Sequence, residues 1–174
     1  MKKLLSDLIK FIDLMNILVF NISKWIMVPL TIIVVYEVIS RYLFNAPHIW
    51  VLEVTTFLGG AFFMLSIGYV TLKEQHVTID IFKDFLSPKA KAIIDIITYT
   101  FLYCVFSFVM LIYGTKFAIN SWVTTEHSWS SWAPALYPIK TVVPIVAFLF
   151  LIQGLAFIMR KVVFLIEGED KKSL

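Results

Sequence analysis

Four stretches of nearly unbroken apolar residues set the pattern of this chain, at about 26–44, 50–72, 92–115 and 139–159. A bilayer core of about 30 Å needs roughly 20 apolar residues in a helix. The pattern therefore predicts an all-α integral membrane protein with four transmembrane helices, residues 1–174 forming a single membrane domain. Ahead of the first span, Lys3, Ser6, Asp7, Lys10, Asp13 and Asn16 recur three or four apart, and Leu4, Leu8, Phe11, Ile12 and Met15 fill the opposite face. This spacing predicts an N-terminal amphipathic helical extension, lying at the cytoplasmic surface or continuing the first span downward.

Between the second and third spans, His76-Val-Thr-Ile-Asp-Ile-Phe-Lys83 alternates polar and apolar positions. With no second strand to pair with, it reads as a surface-lying or re-entrant segment. Ser87-Pro88 has the chemistry of a helix N-cap followed by proline at the first helical position. Residues 116–138 form the longest predicted loop outside the membrane, rich in Trp, Ser and Thr, and Pro144 marks a candidate kink in the fourth span.

Basic residues set the predicted orientation. Lys2, Lys3, Lys10 and Lys24 precede the first span, Lys73, Lys83, Lys89 and Lys91 fall between the second and third, and Arg160, Lys161, Lys171 and Lys172 follow the fourth. The other two connections hold Arg41, Lys116 and Lys140 at their borders. The positive-inside rule then places both termini in the cytoplasm, N-in and C-in. All five tryptophans fall at span ends or in the outer loop, as an aromatic belt requires.

Composition agrees with the membrane reading: 60% of residues are hydrophobic and 16% charged, and the mean hydropathy is +0.87. A scattered net charge of +3 gives no basis for nucleic-acid binding. The single Cys104 lacks a partner for an intrachain disulfide or a thiol-redox pair. Asp7, Lys10, Asp13 and Asn16 interrupt any signal-peptide core, so no removable leader is expected. His48, His76 and His127 all lie outside the predicted spans, which excludes a bis-histidine haem site within the bundle. No catalytic residue, cofactor or metal site is expected, and the chain does not read as an enzyme.

The ionisable residues near lipid carry the most information. An unpaired charge in a spanning helix costs at least about 2.5 kcal/mol, so such groups face protein and find partners. Glu37 and Arg41 are one turn apart on one face, and Glu53 follows the turn at Asn45-Ala46-Pro47. The trio is predicted to form a structural ion-pair clasp between the first two spans. Asn45, Pro47 and Trp50 would anchor the helix turn. Gly59 and Gly60 would allow close helix contact. In the outer loop, Trp122, Glu126, His127, Trp129 and Trp132 have two readings: tryptophan anchoring at the lipid interface, and docking of a soluble partner. Both can hold.

The run Glu37-x-x-x-Arg41-Tyr-x-Phe-Asn-x-Pro47-x-x-Trp50-x-x-Glu53 resembles the signature joining the first two helices of the small, Q-type membrane subunit of tripartite ATP-independent periplasmic (TRAP) transporters. Gly59-Gly60, His76-Val77-Thr78-Ile79-Asp80 and Ser130-Ser-Trp-Ala-Pro-Ala-Leu-Tyr-Pro138 fit the same pattern, and the chain is similar to the mannitol/chloroaromatic-compound or 2-oxo acid branch. The resemblance implies a scaffold subunit packed against a large membrane permease subunit, with a periplasmic substrate-binding protein as third component. It further implies Na⁺-coupled import of small organic acids across the bacterial inner membrane, with the substrate and Na⁺ sites on the large subunit. The other reading, from the residues alone, is a self-sufficient, homo-oligomeric small transporter using Glu37 as its coupling carboxylate.

Overall fold

The computed structural model describes residues 2–73 and 87–170, and it is helical almost throughout. The elements are α1 (Lys2–Ser23), α2 (Met27–Leu43), α3 (Ile49–Leu72), α4 (Pro88–Thr98), α5 (Val105–Val123), α6 (Tyr137–Lys140) and α7 (Val142–Asp170). Four helical runs are long and apolar enough to cross a membrane: Leu5–Leu43, Ile49–Leu72, Pro88–Val123 and Tyr137–Ile166. The fold is thus an all-α, four-span membrane architecture. The alternating segment His76–Lys83 lies outside the described residues.

Each interruption in these runs has a local cause. A 3₁₀ turn at Lys24–Ile26 separates α1 from α2, where the ring of Pro29 would crowd the carbonyl of Trp25 four residues back. Likewise Thr141 breaks the helix between α6 and α7, beside Lys140, whose carbonyl has no amide to accept from at Pro144. The proline therefore produces a break one turn upstream of itself. Ser87 caps α4 by accepting the Ala90 N–H at 3.3 Å, with Pro88 at the first helical position. A π-helical stretch, Tyr99–Cys104, joins α4 to α5.

The spans differ from the sequence expectation in length. Leu5–Leu43 contains 39 residues, about 58 Å at 1.5 Å per residue. Of the two readings of the N-terminus, the structure takes the second: α1 continues the first span and packs on α3 and α7. The third helix persists to Val123 and the fourth to Asp170, so the outer loop shrinks from the expected 116–138 to the stretch after Val123 and before Tyr137.

Polar side chains share the interior with Val146, Leu149, Phe150 and Phe157, while the exterior is apolar. Gln153, Asn16, Thr71, Ser23, Ser107 and Ser121 are the largest fully buried side chains, whereas Phe11, Ile32, Tyr42, Phe63, Leu102 and Val105 stand exposed. Lipid already solvates apolar side chains, so polar bonds and close contacts hold the helices together. Asn16 of α1 donates to Gln153 Oε1 of α7 at 2.7 Å, Gln153 donates to Asp13 at 3.2 Å, and Arg160 pairs with Asp13. Tyr103 donates to the Phe150 carbonyl at 2.9 Å, and its ring lies 4.0 Å from that of Phe150. Phe20 stacks on Tyr69 at 4.1 Å.

Candidate functional site

The site begins where α2 ends. Phe44 closes the helix, and Asn45 takes a left-handed conformation (φ 52°), which its short polar side chain tolerates. Ser40 holds the turn by donating to the Ala46 carbonyl at 2.9 Å, while its own carbonyl accepts the Phe44 and Ala46 amides. Pro47 then favours extended backbone before it, and His48 enters α3 as its N-cap in an extended conformation.

Glu37 sits beneath this turn with 11% of its side chain exposed. Its carboxylate accepts from Arg41 Nη2 at 2.8 Å, from Arg41 Nε at 3.3 Å and from the His48 backbone N–H at 3.2 Å. His48 Nδ1 lies 3.2 Å away and His48 Nε2 lies 3.4 Å from the Tyr36 hydroxyl. A neutral imidazole protonated on Nδ1 satisfies both contacts, donating to Glu37 and accepting from Tyr36. Negative charge here also meets the positive end of the α3 dipole.

Glu53 is elsewhere. The predicted trio is not assembled: Glu53 accepts from Ser128 of the outer loop, and its other oxygen is buried without a hydrogen-bond partner among the described residues. The contact from the start of α3 comes from His48, and it is made to Glu37. Sequence gives little signal for this contact, since histidine is not a favoured N-cap residue and lies 11 positions from Glu37 across a turn. Trp50 lies 6.0 Å from Tyr36 and 6.1 Å from His48, ring centre to ring centre, and 6.5 Å from Trp132.

The predicted small-residue contacts divide. Gly59 faces Leu30 at ordinary van der Waals distance, whereas a Cβ on Gly60 would meet nothing within 4 Å. The close approaches occur at Gly68, against Asn16, at Gly114, against Val143, and at Gly154, against the Tyr103 ring.

The outer loop is internally organised. His127 and Ala135 form an antiparallel bridge, with Ser128 N–H donating to Pro134 and Leu136 N–H to Glu126, each at 2.9 Å. Glu126, predicted to be available to a partner, is already paired with Lys140. That contact holds its carboxyl below the usual glutamate range. His127 Nδ1 lies 2.6 Å from the Thr125 carbonyl, and Trp122 donates to Thr141 at 2.8 Å. Trp129 alone of the five is fully exposed, at 101%.

A groove of about 260 Å³ runs between α2 and α3, lined by Val34, Val38, Tyr42, Leu52 and Thr55 together with Glu37 and Arg41. Its walls are apolar and exposed: Val34 41%, Val38 49% and Leu52 72%. Arg41 keeps 57% of its side chain exposed. Among the described residues, no group of His, Cys, Asp and Glu has metal-binding proximity.

These features define a multi-pass membrane protein whose ionic groups join helices at both ends of the bundle. The family model for the DctQ component of tripartite ATP-independent periplasmic transporters matches residues 30–164. The chain belongs to that family, and is accordingly a small membrane subunit of a TRAP transporter. Comparison with curated proteins returned no match. The family match begins where α2 has cleared Pro29, leaving α1 outside it.

Proposed function

We propose that this chain is the fixed scaffold subunit of a Na⁺-coupled, binding-protein-dependent importer of small organic acids in the bacterial inner membrane. It packs against the large permease subunit and carries out no chemistry of its own. The observation that carries this reading is the face of α2. Apart from Glu37 and Ser40, no residue of that helix is buried, and a half-exposed guanidinium interrupts a largely apolar groove. Such a charge is costly against lipid and is accommodated by a protein neighbour. Glu37, committed to Arg41 and His48, suits a rigid joint better than a group that must load and release a proton.

The test is affinity purification of the full chain from native membranes in mild detergent, with mass spectrometry of its companions. A roughly stoichiometric large membrane protein, lost on Arg41→Glu, supports the scaffold reading. Recovery only as a homo-oligomer that moves substrate in liposomes, with transport abolished by Glu37→Gln, overturns it.

A further inference from the structure

We propose that the hairpin between α5 and α6 is a membrane-interface anchor, with Trp129 seated in the headgroup–acyl boundary of the leaflet it meets. The first ground is depth. Ser128 is bonded to Glu53 and Trp132 lies against Trp50, both in the opening turns of the spanning helix α3. Lys140, which holds Glu126, lies 4.1 Å over the Phe117 ring, well inside α5. The hairpin is thus pinned alongside the ends of the spans instead of standing above them, and Trp129 follows the pinned Ser128 directly.

The second ground is the chemistry of the tip. Ser128-Trp-Ser-Ser-Trp132 carries no charge. Three of its five amides are bonded locally: Ser128 N–H donates to the Pro134 carbonyl at 2.9 Å, Ser128 Oγ accepts the Ser130 N–H at 3.4 Å, and Ser130 Oγ accepts the Trp132 N–H at 3.2 Å. Left-handed Thr125 and Ala133 set the flanking turns. An exposed indole on an uncharged, largely self-bonded tip suits the interface, where ring and N–H each find a matching medium. A soluble partner would have to reach down to the opening turn of α3 to cover it.

The full-length chain in lipid nanodiscs provides the test, the Trp129 signal being the emission lost on Trp129→Phe. That component should be blue-shifted, quenched by phospholipids brominated near the top of their acyl chains, and little affected by aqueous acrylamide. Ser128→Ala, which unties the tip from Glu53, should raise its acrylamide quenching. A component quenched by acrylamide but untouched by brominated lipid overturns the proposal, as does protection that arises only when a soluble binding protein is added. If Trp129→Phe does not fold, a nitroxide on Trp129→Cys in a Cys104→Ser background reads the same contrast. Accessibility to oxygen above that to a water-soluble nickel complex supports the anchor, and the reverse order overturns it.

Discussion

Glu37 of α2 accepts the backbone N–H of His48, the N-cap of α3, at 3.2 Å. A carboxylate from one span therefore fixes the first turn of the next, and Arg41 balances its charge from one turn along the same helix. The stability of this joint rests more on Glu37 than on Arg41. Removing the carboxylate strands the part-buried His48 N–H and leaves the guanidinium unpaired, whereas removing the guanidinium leaves the His48 donors in place.

Glu37→Ala should accordingly destabilise the chain by about 1–3 kcal/mol, the usual cost of orphaning buried polar partners. Arg41→Ala should cost less, and Glu37→Gln, which keeps acceptor and shape, should fall between wild type and Glu37→Ala. Thermal unfolding in detergent would rank the three variants. A larger loss from Arg41→Ala than from Glu37→Ala would contradict this division of labour.

The readability of each contact follows from its physics. The Glu37–Arg41 pair was legible because helical spacing alone brings residues four apart together. Span number was legible because length and apolarity decide it. The partner of Glu53 was not, since Ser128 lies 75 positions away and reaches it through loop geometry that no periodicity encodes. Nor was the interior end of the bundle: Asn16 and Gln153 are 137 positions apart. The polar face of α1 read equally well as water-facing, until the buried amide of Gln153 gave it a protein partner. The available signal was Gln153 itself, an uncharged polar residue within the apolar fourth span.

Close packing predicts an order among glycine variants. An added methyl at Gly68 would overlap Asn16, and at Gly154 it would overlap the Tyr103 ring. Both alanine substitutions should cost about 1–3 kcal/mol, typical of overpacking in a fitted interior. Gly60→Ala meets open space and should leave the stability of the isolated chain unchanged or slightly raised. If Gly60→Ala also lowers recovery of a large partner, the contact surface runs over that turn. Melting curves with co-purification yield separate the two effects.

The cluster that docks α1 invites a double-mutant cycle. Asp13 accepts from both Arg160 and Gln153, and Lys161 lies 3.4 Å from Asp95 nearby. Asp13→Ala and Arg160→Ala should each destabilise, with a coupling near 0.6 and no more than about 1.7 kcal/mol, the span measured for interhelical polar pairs in a membrane protein. Asn16→Ala should loosen α1 specifically, read as faster proteolysis or hydrogen exchange across residues 5–23 while α3 stays protected. Equal loosening of all helices would show that α1 is integral to the bundle's cooperative unit.

Acid sensitivity of the hairpin has a definite sign. Lys140 holds the Glu126 carboxyl below its usual range, so the folded state binds that proton less readily than the unfolded chain does. Stability from the contact is fully present above the ordinary glutamate pKa near 4.3. It fades as pH falls through the lower folded-state value. Subtracting the melting profile of Glu126→Gln from that of wild type isolates this contribution from the other carboxylates. The difference should be constant from pH 8 to about pH 5 and should shrink steadily below pH 4. A difference that instead grows on acidification would mean that the protonated form of Glu126 is the better-held one, and that Lys140 does not anchor the hairpin through its charge.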